Sequence, residues 1–196
     1  MVRPDSELVA LLRQGDEGAF TELVSAHHGA LVRLARTFVR DEAAAEEVAQ
    51  ETWLAVLSGI EGFEARSSLK TWIFRILVNR AKTRGKKQGR EVSFEVQEEA
   101  HPDDDRFSSG GFWKAGGPRP WQEGDIDKKR IVAIVRREIE HLPPAQRAVV
   151  MMRDVEGLES EEVCNVLGIT ETHQRVLLHR GRVMLRSKVE KELGEK

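Results

Sequence analysis

The sequence predicts an all-α protein with two helical domains joined by an acidic, mostly extended linker. Apolar residues recur at helical spacing over residues 5–85 and again from residue 127 onward, and only 91–97 shows a weak strand-like alternation. Residues 91–125 carry nine acidic side chains against three basic ones and contain the helix-breaking pieces HPDDD, SSGG and AGGPRP. We therefore expect domains at 1–90 and 127–196, with the linker at 91–126.

Helix boundary signals divide the first domain into a series of helices. Gly15 is expected to end the first helix, because glycine readily adopts the left-handed conformation found after helix C-termini. Asp41 is expected to cap a later helix that ends at Gly59, since a short acidic side chain accepts a hydrogen bond from the first helical turn. Ser67 and Ser68 are both suited to cap the next helix.

Similar signals divide the second domain. Pro143 or Pro144 suits a helix start, and Gly157 suits a helix end. Residues 159–193 then read as two helices around a short turn, with Thr170 as the candidate N-cap of the second. A short helix, a tight turn and a second helix are the parts of the helix–turn–helix unit that reads DNA.

The second helix of this unit is rich in arginine. Across 171–188 its only carboxylate, Glu171, faces five basic residues: Arg175, Arg180, Arg182, Arg186 and Lys188. Arginine suits DNA because its planar guanidinium donates two parallel hydrogen bonds to a phosphate or a guanine edge. The alternative interpretation is an ordinary helical hairpin with a solvated basic face.

Composition limits the class of protein. The chain has 196 residues, a net charge of −2 and a pI near 6.3, which excludes a uniformly basic protein but permits local basic faces. The single cysteine, Cys164, excludes an intrachain disulfide and fits the reducing cytoplasm. The first twenty residues contain no apolar signal core, and no apolar run approaches the roughly 18 residues of a membrane span, so membrane insertion is not expected.

Charge is sorted into two adjacent blocks. Residues 41–65 contain seven carboxylates and no lysine or arginine, whereas 66–90 contain nine bases, no carboxylate, and the aromatics Trp72 and Phe74. Aromatic rings stack on unpaired bases while cations hold the backbone, so the basic block suits single-stranded nucleic acid. Buried aromatics beside a solvated basic face are the alternative. The acidic block is either a solvated face or a docking surface for a basic partner.

Nothing in the sequence indicates an enzyme. There is no glycine-rich phosphate loop, and the adjacent His27 and His28 point to different helix faces without a matching ligand set. We therefore expect no catalytic residue, metal or cofactor, and a surface position for both histidines. Cys164 is expected to be a small buried apolar residue rather than a redox sensor.

Three stretches in order carry a family resemblance: DEAAAEEVAQETWLAVL, then GFEARSSLKTWIFRILVNRAKT, then LPPAQRAVVMMRDVEGLESEEVCNVLGITETHQRVLLHRGRVMLR. Their order and spacing resemble the extracytoplasmic-function sigma factors of bacterial RNA polymerase, across nearly the whole chain except the linker. The resemblance implies a sigma region 2 bundle and a region 4 helix–turn–helix. It implies that the protein binds core polymerase, through the clamp helices of the largest subunit and the flap, and promoter DNA. An anti-sigma factor is a further partner in many members.

The resemblance also implies site residues. Those matched to clamp binding are Glu46, Glu47, Gln50, Glu51, Trp53 and Leu57. Those matched to capture and melting of the −10 element are Phe63, Glu64, Ala65, Arg66, Ser67, Lys70, Trp72, Arg75, Asn79 and Arg80. Those matched to −35 recognition are Thr170, His173, Gln174, Arg175, Val176, His179 and Arg180.

Two features depart from the family pattern or lie outside it. Gln174 occupies a position that is usually apolar, and Val176 one where polar residues are frequent, so base preference at −35 cannot be transferred. The linker resembles the family's connector by position alone, and its aromatics Phe107, Phe112, Trp113 and Trp121 have no assigned role.

Two other classes of protein are weighed against the sigma factor. A two-domain helix–turn–helix regulator acting without polymerase would leave the sorted charge blocks unexplained. A pure interaction module would leave the arginine-rich final helix without a role.

Overall fold

The computed structural model describes residues 3–94 and 128–194, and within these ranges the fold is all-α without a strand. The helices of the first unit are α1 (Asp5–Arg13), α2 (Glu17–Ala35), α3 (Glu42–Gly59) and α4 (Leu69–Lys87), with a 3₁₀ turn at Ile60–Gly62. Those of the second are α5 (Lys128–Ile139), α6 (Pro144–Val150), α7 (Ser160–Leu167) and α8 (Glu171–Gly194), and a π-helical turn, Met151–Val155, continues α6. The first compact unit covers the chain up to Val92 and also includes Asn165–Gly168. The predicted linker lies mostly outside the described residues.

The caps predicted from sequence form in the first unit. Asp41 Oδ1 accepts a hydrogen bond from the Ala44 amide at 2.8 Å, which starts α3. Ser68, rather than Ser67, caps α4, because its Oγ accepts from the Thr71 amide at 3.1 Å. Gly15 has a φ of +76° after α1, as expected of a left-handed helix end. Local sequence signals therefore set where these helices begin and end.

The core of the first unit is built around α4. Its apolar side chains pack between α2 and α3 and are fully excluded from solvent at Ile73, Phe74, Leu77 and Val78. Burying one such side chain contributes about 1.5–3 kcal/mol. This packing fixes the rotation of α4, and thus which of its basic residues reach the surface.

Gly85 allows the close approach of α4 to the chain after α2. A Cβ at this position would lie 2.3 Å from the Phe38 carbonyl oxygen and 2.8 Å from that of Arg90. Both are backbone atoms, so neither can move aside as a flexible side chain would. Glycine is required here by packing, although it weakens a helix interior elsewhere.

Replacing Gly85 with alanine should therefore destabilise the protein although alanine is the better helix former. Overpacking against backbone is expected to lower the free energy of unfolding by at least about 1 kcal/mol after the helix-propensity gain. Gly62→Ala is the matched control, because a Cβ there meets nothing within 4 Å. Urea unfolding of both variants measures the difference, and equal stability would contradict this account of the packing.

The second unit packs α6 against α8. Gly181 of α8 sits at the crossing, where a Cβ would lie 2.7 Å from Val150 Cγ2. Asp154, in the π-helical turn that continues α6, accepts two hydrogen bonds from the Arg182 guanidinium, at 2.9 and 2.6 Å. The same carboxylate raises the pKa of Arg182. These contacts hold the long α8 in one orientation.

Candidate nucleic-acid interface

The acidic helix α3 presents one continuous exposed face. Glu47, Gln50, Glu51 and Leu57 lie on it, as a protein-contact surface requires. Leu54 shares this face and is 65% exposed, and Leu57 is 43% exposed. Sequence reasoning missed Leu54, although it lies four residues after Gln50 and three before Leu57, on the same side of the helix. Two exposed leucines beside carboxylates and an amide form a mixed apolar and acidic patch.

Trp53 is not on that face. It is only 6% exposed, and its ring packs edge-on against Phe20 with centroids 6.0 Å apart. Its indole Nε1 donates to Nδ1 of His28 at 3.1 Å, and Nε2 of the same imidazole lies 2.9 Å from Glu46 Oε1. With Nδ1 accepting, Nε2 carries the proton and donates to the carboxylate. Trp53 thus anchors α3 within the unit, and His28 has a linking role that its sequence context did not indicate.

The two charge blocks meet along the seam between α3 and α4. Arg80 Nη1 lies 3.3 Å from Glu51 Oε2, and Arg84 pairs with Glu47 one turn away. All four side chains are partly exposed, so each pair contributes about 0.2–1 kcal/mol at most. Part of the basic block is therefore neutralised by the acidic block. Ile76, Asn79, Thr83 and Lys87 complete the walls of the shallow groove along this seam.

The loop between α3 and α4 has a buried base and an exposed tip. Phe63 is 7% exposed and packs on Trp72, with ring centroids 5.1 Å apart and planes at 48°. Glu64, Ala65 and Arg66 are exposed, and Ala65 adopts a φ of +55°, which is unusual for a residue with a Cβ. The exposed tip of this short loop is therefore supported by the packed rings of Phe63 and Trp72.

Along α4 the structure distinguishes the two aromatics. Phe74 is completely buried, whereas Trp72 is half-buried and is the ring nearer to solvent. Lys70 places its ammonium 5.7 Å from the centre of the Phe74 ring. Arg75 and Asn79 are exposed, and Ser67, Lys70 and Arg80 are partly so. Of the residues predicted to meet the −10 element, Trp72, Arg75 and Asn79 follow one side of α4, whereas Arg80 faces α3. Phe63 lies beneath the loop.

In the second unit α7, a turn and α8 form the helix–turn–helix. Gly168 turns the chain with a φ of +71°, and Thr170 Oγ1 accepts from the His173 amide at 3.2 Å, so this predicted cap is confirmed. His173, Arg175, Val176 and Arg180 are partly exposed along the outer side of α8, with Thr170 exposed before them. Thr172, which sequence reasoning did not select, is also exposed on this side.

Gln174 and His179 differ from the rest of the predicted −35 set because both are buried, at 3% and 6% exposure. Gln174 Oε1 accepts a hydrogen bond from Ser160 Oγ of α7 at 3.0 Å. This amide bridges the two helices of the unit, which explains why a polar residue occupies a usually apolar position. Burial keeps both side chains away from the exposed side of α8.

The remaining sequence hypotheses concern the reactivity of Cys164, metal binding and membrane insertion. Cys164, expected to be buried, is only partly so. Burial still raises the pKa of its thiol, so it stays protonated and weakly reactive at neutral pH. In residues 3–94 and 128–194 there is no group of three or more metal-ligating side chains. Within the same ranges no helix has the length and apolar character to cross a membrane.

The first unit has an acidic and a basic face, and a helix–turn–helix follows it. This combination is typical of DNA-binding transcription proteins, and comparison with known proteins identifies the family. Residues 23–91 match the family model for sigma-70 region 2, and residues 133–185 match that for sigma-70 region 4. The ECF RNA polymerase sigma factor SigE of Mycolicibacterium smegmatis is 31% identical over 92% of this chain, which spans 66% of that longer relative. The ECF RNA polymerase sigma-E factor of Escherichia coli K12 is 28% identical over 95% of this chain and 94% of its own length.

Solved structures agree on the fold. CnrH, solved in complex with the cytosolic domain of CnrY, superposes with a TM-score of 0.57 at 21% identity, over 95% of this chain and 97% of that one. The sigma factor RpoE of Bartonella quintana, solved with the anti-sigma factor NepR, also has a TM-score of 0.57, at 23% identity over 87% and 96%. The chain belongs to the sigma-70 family, as an RNA polymerase sigma factor of the ECF type.

The buried bridge at Gln174 is open to a direct stability test. Among the described residues its Nε2 has no hydrogen-bond partner, so the amide is buried at a cost. Gln174→Leu should leave the free energy of unfolding unchanged or raise it by up to about 1 kcal/mol, whereas Gln174→Glu should lower it by about 2 kcal/mol or more. Chemical denaturation of the full chain measures both, and a Leu variant as damaged as the Glu variant would contradict the assignment.

Proposed function

We propose that this sigma factor binds core polymerase through the exposed face of α3 and presents two separate DNA-reading surfaces to the promoter. The observation that carries the proposal is the pair of exposed leucines, Leu54 and Leu57, beside Gln50 and Glu51 on one helix face. Solvent-exposed apolar side chains of this size favour a protein partner. A regulator that only binds DNA has no use for an acidic apolar face.

The polymerase surface is suited to the clamp helices of the largest subunit. Leu54 and Leu57 supply an apolar centre, and Glu47, Gln50 and Glu51 supply a polar rim that attracts a basic partner. Trp53 and Glu46, both predicted from sequence to touch polymerase, act from behind by fixing α3 through His28. This division of roles is part of the proposal.

The −10 surface consists of the loop tip and the exposed side of α4. Unstacking a base costs a few kcal/mol, so a loop that accepts one particular unpaired base couples melting to recognition. Glu64, Ala65, Arg66 and Ser67 shape that loop. Trp72 offers a partly accessible ring next to it, while Arg75 and Asn79 lie farther along α4 toward the strand's backbone.

The −35 surface is the outer side of α8. Its first turn carries Thr172 and His173, and Arg175, Val176 and Arg180 follow at spacings that reach a major groove. Val176 is suited to contact a thymine methyl, and arginine to contact a phosphate or a guanine. The proposed model has three further parts. The polymerase flap is a second contact, the acidic linker connects the two DNA-reading surfaces, and an anti-sigma factor is a regulatory partner.

Transcription in vitro with core polymerase tests the function. The chain with core should initiate from some fragments of its own genome, while alone it should bind duplex DNA weakly because its acidic block repels phosphate. Tight duplex binding by the isolated chain, with no initiation from any fragment, would favour the polymerase-independent regulator instead.

The two leucines test the polymerase surface. Leu54→Ser with Leu57→Ser should weaken binding to core at least about tenfold, because each loses apolar area at the centre of the interface. Leu54→Met with Leu57→Met is the matched control, since it keeps that area and should stay close to the unchanged protein. Titration of labelled core measures the dissociation constants, and equal affinities for the two double variants would place the interface elsewhere.

The charge seam gives a test of DNA binding by the free protein. Glu47→Gln with Glu51→Gln releases Arg84 and Arg80, so the isolated chain should bind mixed-sequence single-stranded DNA more tightly at low salt. Glu42→Gln with Glu61→Gln changes the net charge equally at exposed positions and is the control. We expect the seam variant to exceed the control by about two- to fivefold in affinity, measured by fluorescence anisotropy. The same gain in both would mean that only net charge matters.

A further inference from the structure

The N-terminal helix α1 contacts both ends of the loop that precedes α4, although it lies outside the residues that match sigma region 2. At its C-terminal end, the Arg13 guanidinium donates to the carbonyl oxygens of Phe63, Ile60 and Glu61 at 2.7, 3.3 and 3.4 Å. At its N-terminal end, Asp5 Oδ2 accepts a hydrogen bond from the Leu69 amide at 2.7 Å. A helix of nine residues separates the two contacts by about 12 Å.

Both contacts are made to backbone groups at the two ends of the loop. The Leu69 amide is the first of α4 and has no partner within its own helix, so Asp5 acts as a second cap beside Ser68. The carbonyls bonded to Arg13 belong to the 3₁₀ turn and the residue that follows it. A charged donor on three carbonyls is stronger than neutral bonds and fixes their direction.

The loop tip between the Arg13 and Asp5 contacts has few stabilising interactions of its own. Ala65 is held at a φ of +55°, which costs about 1–2 kcal/mol for a residue with a Cβ. The side chains around it are exposed, and Arg66 pairs with the neighbouring Glu64, which is also exposed. Such a tip keeps one conformation when its two ends are fixed, and fixed ends lower the entropy cost of closing on a ligand.

We propose that Asp5 and Arg13 are positioning residues that hold loop 63–68 in the shape that captures one unpaired promoter base. The inference rests on the proposed −10 function of that loop. Neither side chain touches DNA in this scheme; both act through the backbone of the loop. The N-terminal helix therefore sets the base preference of −10 recognition as well as completing the bundle.

The test uses the holoenzyme and a non-template-strand oligonucleotide covering the −10 element of a promoter found by transcription in vitro. Four versions with each base at the captured position measure base discrimination as a ratio of dissociation constants. Arg13→Ala should reduce that ratio at least fivefold, with Asp5→Ala acting in the same direction. Asp5→Asn should retain most of it, because an amide oxygen still accepts from the Leu69 amide. Affinity for core polymerase should stay within twofold for all.

Arg3→Ala is the matched control, because Arg3 also lies at the N-terminus but pairs with Glu22 of α2. Arg13→Lys keeps the charge but cannot span three carbonyls, so it gives an intermediate ratio and provides the test if the alanine variant does not fold. Unchanged discrimination in folded Arg13 and Asp5 variants would overturn the inference, as would a loss that follows thermal stability alone. If the unchanged holoenzyme itself shows no base discrimination, the proposed −10 function of the loop fails instead.

Discussion

The packing of α4 against α2 and α3 is the constraint on which the other features of the first unit depend. Ile73, Phe74 and Leu77 enter the core, and this fixes which positions of α4 face solvent and which face α3. Because α3 is acidic and α4 basic, their seam forms ion pairs, while Arg75 and Asn79 remain on the exposed side. The sorted charges therefore stabilise a helix contact and also leave exposed surfaces of opposite sign on α3 and α4.

The same division between supporting and contacting residues recurs in both units. Phe63 and Trp53 lie beneath the loop and beneath the acidic face, and Gln174 joins the two helices of the helix–turn–helix. Each is matched by the family resemblance to a contact with DNA or polymerase, and each packs or hydrogen-bonds within its own unit. A single sequence does not distinguish a residue that supports a site from one that contacts its ligand, because burial depends on the packing of distant elements.

Which features the sequence could predict depends on how far apart in the chain the contacting residues lie. Caps and helix ends at Gly15, Asp41 and Thr170 depend on neighbours within four residues, and they form as predicted. The choice of Ser68 over Ser67 needed the actual backbone. The exposure of Leu54 and the burial of His179 depend on which elements pack against each helix face, and helical spacing alone leaves that open.

The longest-range contacts were the least visible in sequence. Arg13 and Phe63 are separated by fifty residues, and Asp5 and Leu69 by sixty-four, so no local pattern joins them. Asp5 reads as an ordinary first-turn carboxylate and Arg13 as an ordinary last-turn base, each favourable to the helix dipole. The tertiary fold gives these residues a second use, since α1 ends where the loop begins. The proposed polymerase face, the loop and the helix that supports it thus belong to one bundle, and α1 contacts both ends of the loop through hydrogen bonds besides burying Leu8, Val9 and Leu12 in the core.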